Sequence, residues 1–259
     1  MDLGIKGKKA LLSASTSGLG LACASALARE GCNVYINGRD QDRLLKAQAQ
    51  IFQLTGAKAI LIRADINTPE GRDKLTQSCP DADILVNNNA GPPPGSLSDW
   101  DHDAWITALE ANLLAPVLII RAILPGMRNR KFGRIVNITS AMVKSPRPSM
   151  SLSTTARTGL TAFSKAMSIE AAVDNVTLNN LLPERIDTPR QAFMAQKMVD
   201  QEGIDMAEAR RRIAMTIAAQ RFGTPNEFAD ACAFLCSAQS GFISGQNLQI
   251  DGGSYPGLI

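Results

Sequence analysis

No C-x-x-C pair occurs in this chain, and its five cysteines (Cys23, Cys32, Cys79, Cys232 and Cys236) are odd in number. Such spacing indicates neither a disulfide framework nor a zinc site, so no metal is expected and the cysteines read as small buried hydrophobes in a reducing compartment. Nowhere do eighteen uncharged apolar residues follow one another, and the opening MDLGIKGKKALLSAS carries lysines without the apolar run of a signal peptide. The expectation is a soluble, cytoplasmic protein with no membrane partner. Charge of one sign is scarce too: 27 Lys and Arg against 24 Asp and Glu leave a net +3. That surplus is too small and too evenly spread for a nucleic-acid surface or a polybasic membrane patch, and no nucleic-acid partner is expected. Internal repeats on the scale of about 20 to 50 residues and low-complexity tracts are also missing, which excludes solenoids and disordered tails.

What remains is a chain of 259 residues, 45% of them hydrophobic, long enough to bury one full core. A single domain over residues 1–259 is the expectation. Short apolar runs alternate with longer helix-patterned segments: KKALLSA then residues 18–30, CNVYING then 40–55, AKAILIRAD then 69–78, ADILVNN then 101–128, GRIVNITS then 153–173, VTLNNLLP, and last NLQIDGG. This alternation predicts an α/β fold, a parallel sheet of about seven strands with helices on both faces. ALLSA and DILVNN are almost continuously apolar, as strands buried on both sides should be, and their shortness favours strand over buried helix. Residues 184–224, between the sixth and seventh strand candidates, hold helix-like stretches near 190–201 and 205–219. An insertion there, outside the strand ends, suits a substrate cover.

After the first strand comes SASTSGLG, residues 13–20, followed by the helix pattern LACASALAREG. A turn of small residues lets the backbone approach a pyrophosphate, and the helix N-terminus offers free N–H groups and a partial positive charge. Gly18 and Gly20 would also serve a plain tight turn; their place after the first strand favours dinucleotide binding. Asn37-Gly38-Arg39 ends the second strand, where dinucleotide folds read the adenosine ribose. An acidic residue there would bond both ribose hydroxyls of NAD(H). Arg39 instead suits a 2′-phosphate, so NADP(H) is favoured over NAD(H), with a solvated surface arginine as the alternative. Asp65, ending RAD, suits the adenine amino group, or caps a helix before Asn67 and Pro69.

Over essentially its whole length the chain resembles the short-chain dehydrogenases/reductases. Their T-G-x-x-x-G-x-G motif has its counterpart in Ser13-Ala14-Ser15-Thr16-Ser17-Gly18-Leu19-Gly20, with alanine for the first glycine and hence less backbone freedom. Their N-N-A-G is similar to Asn87-Asn88-Asn89-Ala90-Gly91, one asparagine longer, with Asn88 retained in either alignment. Ser17 stands where many NADP-dependent relatives carry a second phosphate-binding arginine, which leaves Arg39 without help. The resemblance implies a Rossmann-type doubly wound sheet. It also implies a cofactor contacted by Ser13, Ser15, Ser17, Gly18, Leu19, Gly20, Arg39, Asp65, Ile66, Asn88, Ala90, Pro183, Ile186 and Thr188.

The family's catalytic set is an asparagine, a serine, and a tyrosine followed four residues later by a lysine. Asn112 in EANLLAPV resembles the first and Ser140, closing GRIVNITS, the second. The run Gly159-Leu160-Thr161-Ala162-Phe163-Ser164-Lys165 resembles the helix just beyond Tyr-x-x-x-Lys, and anchoring on it puts Ser153 at the tyrosine and Arg157 at the lysine. In the family the tyrosine gives a proton to a carbonyl becoming an alkoxide, and the lysine's charge lowers its pKa. A serine hydroxyl is far less acidic, and arginine holds its proton too firmly to join a relay. One helical turn apart, Ser153 and Arg157 can still face one pocket as hydrogen-bond donors; the alternative is that both are remnants in a binding protein.

Substitute acids are few. Tyr35 lies in a strand pattern and reads as core; Tyr255, in the tail DGGSYPGLI, could reach a neighbouring subunit's cleft; His102, in DWDHDAW, reads as a solvated cap residue. Where relatives resemble P-G-x-x-x-T, this chain has Pro183-Glu184-Arg185-Ile186-Asp187-Thr188. A carboxylate at Glu184, near the expected nicotinamide, would act as a general acid if burial raised its pKa, and would not if paired with Arg185 or Arg157. Lys144 and Arg147 could attract an acidic substrate or simply stay hydrated. Gly159, Ala162, Ala166 and Ile169 make a small-residue face that, with the family resemblance, implies a homotetramer or homodimer. The resemblance implies an atypical NADP(H)-dependent oxidoreductase acting on a small carbonyl or alcohol, in the manner of a ketoacyl reductase. The alternatives are a cofactor-binding regulatory or partner protein without redox activity, and a lyase or isomerase using the same pocket.

Overall fold

The computed structural model describes residues 2–258. Seven strands, β1 (Lys9–Leu12), β2 (Asn33–Gly38), β3 (Ile60–Arg63), β4 (Ile84–Asn87), β5 (Gly133–Ile138), β6 (Val176–Pro183) and β7 (Asn247–Ile250), form one sheet in the order β3-β2-β1-β4-β5-β6-β7. Every neighbouring pair is parallel. The chain begins mid-sheet, winds out to β3, and returns beside β1 to wind the other way. A crevice therefore opens between the carboxyl ends of β1 and β4.

Along the chain the helices are α1 (Gly18–Arg29), α2 (Gln41–Thr55), α3 (Pro69–Ser78), α4 (His102–Leu109), α5 (Ala115–Asn129), α6 (Ser151–Ala171), α7 (Pro189–Glu202), α8 (Met206–Met215) and α9 (Pro225–Leu235). Period-2 alternation within each strand divides the core. Ala10 and Leu12 of β1 join α1, α2 and α9 in one apolar cluster, while Leu11 between them joins α3, α5 and α6 on the other face. Leu11 and Leu12 are fully buried, each worth about 1.5 to 3 kcal/mol of hydrophobic burial. All five cysteines are buried and unpaired. Tyr35 is only half-buried, packed at the margin of the second cluster.

All seven expected strands are present, with β3 shorter than AKAILIRAD suggested. The helix expected over 101–128 is in fact two α-helices joined by a π-helical turn, Glu110–Leu114. This continuous segment, His102–Asn129, contains an 18-residue stretch with a mean hydropathy of 1.7 and has the length to cross a bilayer. Its apolar side, Ile119, Ile120, Ile123 and Met127, instead covers the sheet. Helix α9 escaped the pattern reading, although its start is well signalled: Pro225 at the first turn and a capping box between Thr224 and Glu227. In the 184–224 insertion, α7 and α8 pack on each other through Ala195, Ala209 and Ile213, a small cluster separate from the main core.

Four asparagines in register cross the sheet. Asn87 Nδ2 donates to Asn137 Oδ1 at 2.9 Å, Asn137 Nδ2 to Asn180 Oδ1 at 3.1 Å, and Asn180 Nδ2 to Asn247 Oδ1 at 2.8 Å. Buried amides of this kind are tolerated only when paired. Parallel register supplies each donating Nδ2 with its acceptor, and the ladder begins at the β4 end of the crevice, where Asn87 Oδ1 is buried without a partner among the described residues.

Candidate active site

The turn after β1 is held by its own side chains. Ser13 Oγ donates to the Asn88 carbonyl at 2.8 Å and accepts from the Asn88 N–H at 2.9 Å, while Asn88 Nδ2 donates to the Ala14 carbonyl at 2.8 Å. Ser15 is fully buried; its hydroxyl donates to Leu12 O and accepts from Asn37 N. Both expected cofactor contacts, Ser13 and Ser15, therefore have hydroxyls engaged in shaping the turn. Gly20 is required by close approach, since a Cβ there would lie 2.6 Å from the Ala14 carbonyl oxygen. Ala14 sits at φ +42°, in the left-handed region that a glycine would occupy without strain.

Ser17 is the N-cap of α1, but its side chain makes no capping hydrogen bond, so the first-turn N–H groups point outward unsealed. Gly18 faces Thr188, 3.8 Å from its Cβ position, and Leu19 packs partly against the core. Thr188 is likewise an N-cap without a side-chain cap bond, at the start of α7. Ile186 is buried and bridges to Gly223, and Pro183 ends β6 opposite Ile250. The two unsealed helix starts, α1 and α7, thus meet across the crevice.

At the far end of the cleft, exposed Arg39 stands 3.6 Å from Asp65 Oδ2. Asp65 does not cap α3. Thr68 does, and Asp65 Oδ1 accepts from Asn67 N in a local turn. Ile66 is buried, with its carbonyl accepting from Arg72. Arg39 is not without help: Arg63 Nε donates to the Arg39 carbonyl at 3.1 Å, which brings a second guanidinium to the same edge.

Asn112 lies in the π-helical turn, where an extra residue per turn re-aims a side chain. Its Nδ2 contacts Ala90 O at 3.3 Å and Ala108 O at 3.5 Å. Asn89 ties the loop to the same turn by donating to Ala111 O and Asn67 Oδ1. Ser140 caps a 3₁₀ turn, accepting from Met142 N at 3.2 Å. Ser153 and Arg157 lie on one face of α6, buried to 6% and 8% exposure. Arg157 Nε donates to Ser153 Oγ at 3.3 Å, its Nη1 to the carbonyls of Ile138 and Thr139 at 2.8 and 2.7 Å, and its Nη2 to the Asn89 carbonyl at 3.3 Å. Burial pulls its pKa down to about 10, with the charge of Arg190 adding to the effect. Arg157 also lines a cavity of about 10 Å³, together with Asn87, Asn88, Asn89 and Asn112, with room for one water-sized group.

The remaining candidates sort clearly. Glu184 pairs with Arg147 at 3.0 Å and lies 3.9 Å from Arg185; Arg157 is not its partner. Tyr255, considered above as a residue that could reach a neighbour's cleft, has Lys144 Nζ of its own chain 5.4 Å from its ring centroid. His102 is 84% exposed and follows the true cap, Asp101. On α6, Gly159 packs against Leu113, whereas Ala162, Ala166 and Ile169 face outward.

A family model described as Enoyl-(Acyl carrier protein) reductase matches residues 13–255. The oxidoreductase YvaG of Bacillus subtilis (strain 168), itself named as uncharacterized, is 34% identical over 259 residues, covering 98% of each chain. Dehydrogenase/reductase SDR family member 4 of Homo sapiens is 31% identical over 252 residues, 95% of this chain and 87% of that one. Among solved structures, L-sorbose reductase from Gluconobacter frateurii, complexed with NADPH and L-sorbose, superposes with a TM-score of 0.94 at 31% identity, covering 100% of both chains.

Proposed function

Because the chain belongs to the short-chain dehydrogenase/reductase family, we propose that it is an NADP(H)-dependent oxidoreductase of a small carbonyl or alcohol, working with Ser153 and Arg157 in place of tyrosine and lysine. The observation that carries this reading is the cradle at the β1 turn: the close approach at Gly20 and the unsealed start of α1 facing Thr188. The residues fit a dinucleotide. Backbone N–H groups at Ser17–Gly20 would hold its pyrophosphate, Arg39 with Arg63 a 2′-phosphate, Asp65 and Ile66 the adenine, and Asn88, Ala90, Pro183, Ile186 and Thr188 the nicotinamide half. The nucleotide of the L-sorbose reductase complex supports the choice of NADP(H). When bound, the cofactor supplies the hydride.

The chain's own contribution is placement and polarisation. Arg157 donates to Ser153 Oγ, which leaves the serine O–H free to donate to a substrate carbonyl oxygen. The buried guanidinium stabilises negative charge growing on that oxygen without releasing a proton, so the proton itself comes from water. Asn112 and Ser140 border the same site, and α7 and α8 of the 184–224 insertion serve as its cover. The test is turnover: purified protein with NADPH and a panel of ketones, aldehydes and ketoacyl thioesters. Nucleotide oxidation with at least one carbonyl is expected; its absence across the panel overturns the reading.

One observation favours a non-redox binding protein as the second reading. Three of Arg157's contacts are backbone carbonyls, the pattern of a residue holding a loop. In that case nucleotide binds and no carbonyl is reduced.

A further inference from the structure

Cations at the cleft outnumber the carboxylates available to pair with them. Glu184 is taken by Arg147 and Arg185, and Asp187 by Arg210 at 2.8 Å. Among the described residues, neither Arg157 nor Arg190 has a carboxylate within ion-pair distance; their polar contacts are carbonyls and a hydroxyl. Both reach one short piece of backbone. Arg190, from the second position of α7, donates to the Pro92 carbonyl at 3.4 Å, and a Cβ on neighbouring Gly91 would stand 3.3 Å from Arg157 Nη2. The two are near enough for Arg190 to weaken Arg157's hold on its proton.

Two like charges brought together with no acid between them cost free energy that an anion would recover. The long contact to Pro92 O is one that a carboxylate can displace, offering Arg190 charge-assisted bonds instead. We propose that Arg190 and Arg157 form a clamp for a carboxylate of the substrate, so that the substrate is a small oxo- or hydroxy-acid rather than a neutral ketone or alcohol. The inference rests on the oxidoreductase reading for the reacting carbonyl. It places the acid group beside Gly91–Pro92, on the Ser153 side of the cleft. The nucleotide pyrophosphate has its own cradle at the start of α1, next to Pro189, whereas the Arg190 side chain extends from there toward Pro92.

The experiment is calorimetric titration of acetoacetate and of its neutral methyl ester into wild type and Arg190→Gln, with and without saturating NADP⁺, the oxidised nucleotide preventing turnover. Wild type is expected to bind acetoacetate about tenfold or more tightly than the ester, as charged hydrogen bonds warrant, and Arg190→Gln to lose that preference. Equal binding of acid and ester by wild type, or a preference that survives Arg190→Gln, overturns the clamp. So does a variant whose NADP⁺ affinity falls while its preference for the acid persists, because the guanidinium then serves the pyrophosphate. Failure of NADP⁺ itself to bind counts against the oxidoreductase reading, and the titration without nucleotide still decides the clamp.

Discussion

Arg157 Nε donates to Ser153 Oγ across 3.3 Å, one helical turn along α6, the pair proposed above to take the places of the family's lysine and tyrosine. The arginine is also bonded to the carbonyls of Ile138 and Thr139 at the end of β5. It joins the helix, the strand end and the loop at Asn89.

That joining predicts a stability effect. Arg157→Met leaves buried carbonyl oxygens without donors and should cost about 1 to 3 kcal/mol, a fall in Tm of roughly 2 to 4 °C per kcal/mol for a chain of this size. Arg157→Lys, which keeps a donor, should cost less. Thermal unfolding of the two variants checks the order.

Catalysis gives the complementary prediction. Ser153→Tyr combined with Arg157→Lys restores an acidic phenol beside an ammonium, and kcat for carbonyl reduction should rise by about 10²- to 10⁴-fold, the usual worth of general acid catalysis. Steady-state kinetics with NADPH measures it. An unchanged kcat would mean that the proton already has another source.

Ala14 occupies φ +42°, where a side chain costs roughly 1 to 2 kcal/mol. Ala14→Gly should therefore be stabilising, by up to about 1 kcal/mol after the extra freedom that glycine gives the unfolded chain. Denaturant unfolding would show a raised midpoint at unchanged slope.

Helix α9 should be acid-sensitive. Glu227 is held down to about 2 by Arg221 first and then by the Thr224 backbone N–H. A pKa lowered in the folded state gives stability that is fully present above the ordinary glutamate range and is lost as pH falls through the folded value. The difference in Tm between wild type and Glu227→Gln should be present near neutrality and vanish toward pH 2. A difference independent of pH contradicts the assignment.

The sheet was legible in the sequence because buried parallel strands are short, apolar and regularly spaced between helices. The turn at Gly18 and Gly20 was legible because the backbone favours glycine at both: Gly18 has a φ of +54° and Gly20 sits against the Ala14 carbonyl. Helix α9 was missed because its pattern merged with the loop before it, although Thr224 and Glu227 marked its start. The π-helical turn at Asn112 has no period of its own in so short a segment. Side-chain partners were the least legible. Glu184 could not be assigned to Arg147, nor Arg63 to the edge beside Arg39, because both contacts join segments that only the fold brings together.

The central claim is that an NADP(H) nucleotide lies across the β1–β4 crevice with its 2′-phosphate at Arg39 and Arg63. Calorimetric titration of NADPH and NADH into wild type and Arg39→Ala tests it most directly. The account predicts that NADPH binds about tenfold or more tightly than NADH and that Arg39→Ala removes most of this gap, the loss expected for a charge-assisted bond. Binding of neither nucleotide at millimolar concentration, or an NADPH preference that Arg39→Ala leaves intact, would contradict it.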